Sequence, residues 1–99
     1  MVALVISDAR LISTDGIAEY RRIARASIEE FGGRYVAMTK RIDVLEGDWT
    51  PEGLTILEFP DADAARAWYR SAAYSAALPY ARRTLERSMI IVDQSSSLE

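Results

Sequence analysis

Glu58 is the residue of this chain that most invites a chemical question. It stands inside the apolar run Leu-Thr-Ile-Leu-Glu-Phe. A carboxylate in such a setting is costly unless it is paired or faces a polar cavity. One reading makes it a general acid or base with a raised pKa. The other makes it half of a structural ion pair with Arg34 or Arg82. Arg34 follows Gly32-Gly33 and opens an apolar segment. Its planar fork could clamp a substrate carboxylate through two hydrogen bonds, or it could pin Glu58 or a helix C-terminus. Glu58 and Arg34 are the candidate catalytic pair. Tyr20, Trp68, Tyr74 and Tyr80, with Arg82, are candidates for a substrate pocket in which a phenol hydrogen-bonds the ligand. Aromatic residues at helical spacing also build cores, and both roles can coexist where a core residue keeps one free face. Trp49, in the connection Glu-Gly-Asp-Trp, reads either as an interface anchor or as an indole folded back on its own domain.

Other chemistries are excluded by residue type. The 99 residues include no cysteine and no histidine, which removes disulfides, redox thiols, the commonest general base and haem ligation by His or Cys. Asp8, Asp61 and Asp63 could hold a hard divalent metal, but as turn and cap residues they have a simpler explanation. No glycine-rich phosphate loop, nucleophile elbow or metal signature is present. No cofactor is expected. The net charge is -3, and nucleic-acid binding calls for clustered positive charge. An RNA-recognition module would also need a basic-aromatic strand motif that Arg34-Tyr35-Val36-Ala37 does not supply. No apolar run approaches the roughly 20 residues of a membrane helix, and the N-terminus lacks the basic region of a signal peptide. A cytoplasmic protein, with neither nucleic acid nor membrane as partner, is the expectation.

The elements that must position these residues follow from periodicity. Val2 to Ile6 is a continuous apolar, β-branched run, expected as a central strand. Ile17, Tyr20, Ala24, Ile28 and Phe31 recur at three- and four-residue steps. They predict a helix from Asp15 to Phe31, capped by Thr14 or Asp15 and ended by Gly32 or Gly33. Arg34 to Leu45 alternates as a second strand, with Arg34, Val36 and Met38 on one side and Tyr35, Ala37 and Thr39 on the other. Gly47, Asp48 and Pro51 mark a connection. Gly53 to Phe59 is a third strand, antiparallel to the second because the link is too short for a crossover. Pro60 stops it. Asp61 caps a helix broken at Ser71 and Pro79 and running to Arg87, and Ser88 to Asp93 is the last strand. Residues 1–93 form one domain. Residues 94–99 are expected to be a disordered tail whose final Leu-Glu reads as a cloning scar.

The order βαββαβ, with short hairpins and right-handed crossovers, gives an α+β fold. It is a ferredoxin-like four-stranded antiparallel sheet with helices on one face. The first, third and fourth strands are apolar on both sides, so a monomer would expose a large apolar patch. A homodimer formed through the open sheet face relieves this.

Gly32-Gly33-Arg34-Tyr35, Glu46-Gly47-Asp48-Trp49, Leu57-Glu58-Phe59-Pro60 and Ala65-Arg66-Ala67-Trp68-Tyr69 form an ordered set. Ser71 with Tyr74, and Leu78-Pro79 with Arg82, extend it. Over Val2 to about Val92 the chain resembles the family known as Domain of Unknown Function 1330. The resemblance implies a dimeric α+β barrel built from ferredoxin-like protomers. Its superfamily includes cofactor-free monooxygenases, isomerases and stress-related barrels, often with a ligand held between sheet and helices. Where relatives often carry Arg-Gly-Gly early in the second strand, this chain has Met38-Thr39-Lys40. The functional expectation is a small-molecule enzyme working by isomerisation, enolisation or cofactor-independent oxygenation. The alternative is a non-catalytic dimeric module for ligand binding or protein interaction.

Overall fold

The strand nearest the N-terminus sorts its side chains by the two-residue period of an extended chain. In the computed structural model, which describes residues 2–95, β1 spans Ala3–Leu11, with Ala3, Val5 and Ser7 buried. It outruns the expected Val2 to Ile6 because its polar residues do not oppose pairing. Asp8 and Arg10 fall on the other side of the sheet, where Arg10 pairs with Glu86 directly opposite.

Helix α1 spans Ile17–Glu30. Neither Thr14 nor Asp15 supplies the expected side-chain cap. The N-cap is Gly16, whose φ of 102° suits a residue without a Cβ. At the other end Gly32 takes a φ of 77°, and the Gly33 amide donates to the Ile28 carbonyl at 2.9 Å. A Cβ on Gly33 would lie 2.6 Å from the Phe59 ring and 2.9 Å from Ile28, so this position must be bare for helix and sheet to meet.

Strand β2 spans Arg34–Thr39 and stops well short of Leu45. It contains a bulge. Tyr35 pairs with Leu57, but Ala37 rather than Val36 pairs with the next residue, Ile56. The single alternation expected along this strand is therefore broken at Val36, and beyond it Met38 shares the side of Thr55 while Ala37 shares that of Ile56. Residues 40–53 carry no regular secondary structure. In this connection Trp49 remains 61% exposed, yet its indole N–H donates to Asp8 at 2.7 Å.

Strand β3, Leu54–Phe59, is antiparallel to both β2 and β1. Asp61 caps α2, Ala62–Arg70, by accepting from the Ala64 amide at 2.7 Å. Ser71 ends that helix and caps the short α3, Ala72–Ser75, while Pro79 sits in the first turn of α4, Leu78–Thr84. Strand β4 spans Leu85–Asp93. It begins three residues before the expected Ser88, which places Arg87 in the sheet rather than at the end of a helix.

The sheet order is β2-β3-β1-β4, antiparallel throughout, the ferredoxin-like topology. Val5, Leu57 and Phe59 from the sheet meet Ala24 and Ile28 of α1, Ala65 and Trp68 of α2, and Tyr74 of α3. The Trp68 ring lies 4.3 Å from Tyr74 and 5.3 Å from Phe59, centroid to centroid. On the opposite face Leu4, Ile6, Ile56, Ile90 and Val92 stand side by side in register, with Ile90 57% exposed. Asp93 accepts from the Ser95 amide at 2.9 Å. The expectation for the tail beyond Ser95 lies outside the described residues.

Candidate functional site

Between the helix-side face of the sheet and α1 lies a cavity of about 340 Å³. Its inner wall is Val5, Leu57, Ile28 and Trp68, all buried. Leu11, Arg21 and Lys40, all exposed, mark its mouth. Trp68 is fixed from behind. Its indole N–H donates to the Ser27 hydroxyl at 3.0 Å, and that hydroxyl donates to the Ala24 carbonyl at 2.8 Å.

Arg87 lines the same cavity, half-buried, on the strand position opposite Ala9. Its guanidinium donates to the Tyr20 hydroxyl at 2.7 Å and to the Tyr74 hydroxyl at 2.8 Å. The two phenols are themselves hydrogen-bonded at 3.0 Å. The ion pairs among the described residues join Arg10 to Glu86, Arg22 to Glu19, Arg34 to Glu58 and Arg66 to Asp63. Arg87 thus has phenol partners and no carboxylate. The cavity wall includes the cations Arg21, Lys40 and Arg87 and no acidic residue among those described, although the chain is acidic overall.

The electrostatics of this cluster shift Tyr74 and Arg87 in the same direction. Burial, reinforced by the neighbouring Tyr20, pushes the Tyr74 phenol well above its ordinary value; the charge of Arg87 opposes this without cancelling it. For Arg87, burial opposes the charge, but the oxygens of Tyr20 and Tyr74 outweigh it, so the guanidinium titrates above its usual range. Burial also raises Tyr35, on the same wall, against the Arg25 guanidinium 4.7 Å from its ring centroid. A cation held by two phenols can bind an anionic oxygen from a ligand or stabilise one that forms during a reaction.

The residues singled out in the sequence separate into three places. Tyr20 and Trp68 line the cavity. Tyr74 lies behind it, fully buried, and reaches it through Arg87. Tyr80 and Arg82 are elsewhere. Tyr80 packs beside Gly16 under the Arg83 guanidinium, and Arg82 is exposed on α4. Glu58 and Arg34 meet each other at 2.9 Å, but not in the cavity, so the expectation that they supply its polar groups is corrected. Leu57 and Phe59 point inward, and strand parity turns Glu58 to the opposite face, where Arg34 stands directly across from it. Arg87 takes the polar position instead. The signal for it was present in the alternation Leu85, Arg87, Met89, which sets an arginine on an inward face. It is hidden when the helix is extended through Arg87.

Solved structures share the fold. RPA0582 from Rhodopseudomonas palustris, a protein of unknown function, matches with a TM-score of 0.73 and 19% identity, over 97% of this chain and 84% of that one. A dimeric ferredoxin-like protein of unknown function from Thermobifida fusca matches at 0.63 with 15% identity, over 94% and 91%. SnoaB from Streptomyces nogalater, a cofactor-independent oxygenase, matches at 0.60 with 17% identity, over 98% and 95%. At these identities the likeness concerns the fold. A comparison with curated proteins finds no match. The model of the family Domain of Unknown Function 1330 matches residues 2–95, and the chain belongs to that family.

Proposed function

We propose that this protein binds a small, largely apolar molecule in the cavity between sheet and helices, and that it does so through an acidic oxygen held by Arg87. The carrying observation is the half-buried guanidinium that lines an apolar cavity and hydrogen-bonds to two neutral phenols, with no carboxylate partner among the described residues. Desolvating a cation costs free energy, and an anionic ligand would return it.

A cation in this position also favours a substrate oxyanion. It lowers the cost of forming an enolate, the first step of an isomerisation or enolisation. It serves equally the reaction of an electron-rich substrate with dioxygen; the structural neighbour SnoaB is described as a cofactor-independent oxygenase. A second reading is a non-catalytic binding module. It is favoured by the lack of any carboxylate or histidine on the cavity wall among the described residues and by the raised phenol of Tyr35 on that wall, which weaken the case for a general base there at neutral pH. The protein would act as a homodimer through the open sheet face, where Ile6, Ile56 and Ile90 form an apolar strip. The Thermobifida fusca neighbour, described as dimeric, supports this.

The test uses Trp49→Phe, which leaves Trp68 as the sole tryptophan. Titration with benzoate should change its fluorescence saturably, and benzamide, the uncharged counterpart, should bind at least ~10-fold more weakly. Equal affinity, or no saturable response to either, removes the proposal.

A further inference from the structure

The cavity floor carries a polar pole besides Arg87. The sheet register aligns Met38 with Thr55, Thr55 with Ser7, and Ser7 with Met89, and all four line the cavity. Two hydroxyls therefore stand side by side at the centre of the floor, flanked by two thioethers. Ser7 is only 6% exposed. The hydrogen bonds inside the helix–sheet layer join Tyr20 with Tyr74, Arg87 with both, and Trp68 with Ser27. Ser7 and Thr55 take no part in them, and among the described residues no side-chain oxygen or nitrogen is sealed from the surface without a partner. Both hydroxyls therefore open onto the cavity. An apolar residue would fill either position at less cost if the floor served packing alone, since a buried polar group without a partner is unfavourable.

From this we infer that Ser7 and Thr55 recognise a second, neutral oxygen of the ligand. The inference rests on the reading of the cavity as an anion-binding site. Arg87 stands opposite Ala9, two residues along β1 from Ser7. Ser7 and Arg87 are therefore diagonal neighbours across the β1–β4 ladder, about 7–8 Å apart, a spacing that a substituted ring can bridge. The ligand class is an oxygenated ring acid: an anionic oxygen at Arg87, a hydroxyl or carbonyl at Ser7 and Thr55, and an apolar ring spanning the two. A hydroxyl can donate to one of the pair while accepting from the other.

The experiment compares 4-hydroxybenzoate with benzoate by fluorescence in the Trp49→Phe protein, alone and with Thr55→Val or Ser7→Ala added. Thr55→Val keeps the shape and suits a strand, so the test survives if Ser7→Ala disturbs folding. The expected result is 4-hydroxybenzoate binding roughly 3- to 10-fold tighter than benzoate, with that preference lost in Thr55→Val. Equal binding of the two acids, or a preference that persists in Thr55→Val, overturns the second pole and leaves the anion site standing. Failure of both acids to bind overturns the two together.

Discussion

Arg87→Met should separate binding from stability. The substitution keeps length and apolar bulk while removing the charge and both hydrogen bonds to Tyr20 and Tyr74. In the folded protein, hydrogen bonds from a charged donor contribute ~1.5–3 kcal/mol each when well buried. Arg87 is half-exposed at a cavity wall, so water competes for it and the lower figure, discounted further, applies. Against that loss stands the relief of burying a cation that has no carboxylate partner, a cost of similar size. The two phenols also keep each other as partners at 3.0 Å. The expected net change in stability is below ~1 kcal/mol, or a Tm shift of less than about 8 °C for a domain of this size. Binding has no such offset. Losing a charge-assisted bond to an anionic ligand costs ~3 kcal/mol, roughly 100-fold in Kd. Arg87→Lys retains the charge but not the fork that reaches both phenols, so its affinity should fall between the two. Thermal unfolding by circular dichroism and a calorimetric benzoate titration read the two effects. A Tm lowered by more than about 15 °C together with benzoate affinity within threefold of the parent would show Arg87 to be a structural strut, and the reasoning would fail.

Other perturbations bear on the fold and its two faces. Glu58→Gln breaks an ion pair whose arginine side chain is 65% exposed; it should cost less than ~1 kcal/mol and leave benzoate binding unchanged, measured by the same titration. Gly33→Ala puts a Cβ against the Phe59 ring and Ile28. Neither is a flexible chain end, and overpacking of ~1–3 kcal/mol should appear as a lowered urea midpoint. Tyr74 has its pKa raised in the folded state, so its contribution to stability is full below the unfolded tyrosine value of about 10 and declines as pH rises above it. Melting temperatures should therefore be level from pH 7 to 9 and fall beyond pH 10, and Tyr74→Phe should flatten that fall. Ile90→Asp places a charge in the apolar strip of the open face and should disrupt the homodimer proposed for that face, read by light scattering at low micromolar concentration.

The fold was legible because its signals are local. Asp61, Ser71 and Pro79 each mark a helix start by what their own side chains do to the adjacent backbone, and all three act as read. Gly32 ends α1 for the same kind of reason. The failures are of two kinds. At Gly16 a backbone conformation replaced a side-chain cap, and glycine has no side chain to announce it. At Val36 the bulge depends on how β2 meets β3, which lies outside any single strand's pattern. The site was less legible than the fold. Tyr20 and Trp68 follow from helical spacing, but Arg87 depends on where α4 ends. A three-residue error there moves it from a helix terminus to the cavity wall. Glu58 drew notice as a charge in an apolar run, yet a strand exposed on one face always offers alternate positions for such a charge.

That alternation also gives so small a domain two chemically independent faces. On β1 the odd-numbered residues Val5, Ser7 and Ala9 line the cavity, while the even-numbered Leu4, Ile6, Asp8 and Arg10 face the other way. On β3 Leu57 lines the cavity while Glu58 pairs with Arg34 on the opposite face. On β4 Arg87 and Met89 belong to the cavity and Ile90 to the open strip. Each strand thus interleaves residues of the cavity with residues of the open face, one peptide unit apart. A change on one face leaves side chains on the other untouched, provided the register holds. A one-residue slip in any central strand would exchange the two sets, sending the Ser7 hydroxyl outward and Ile6 into the cavity. The long β1–β4 ladder, paired from Ala3 to Leu11, fixes that register, which is why the two polar poles can be held at a defined separation in a chain of only 99 residues.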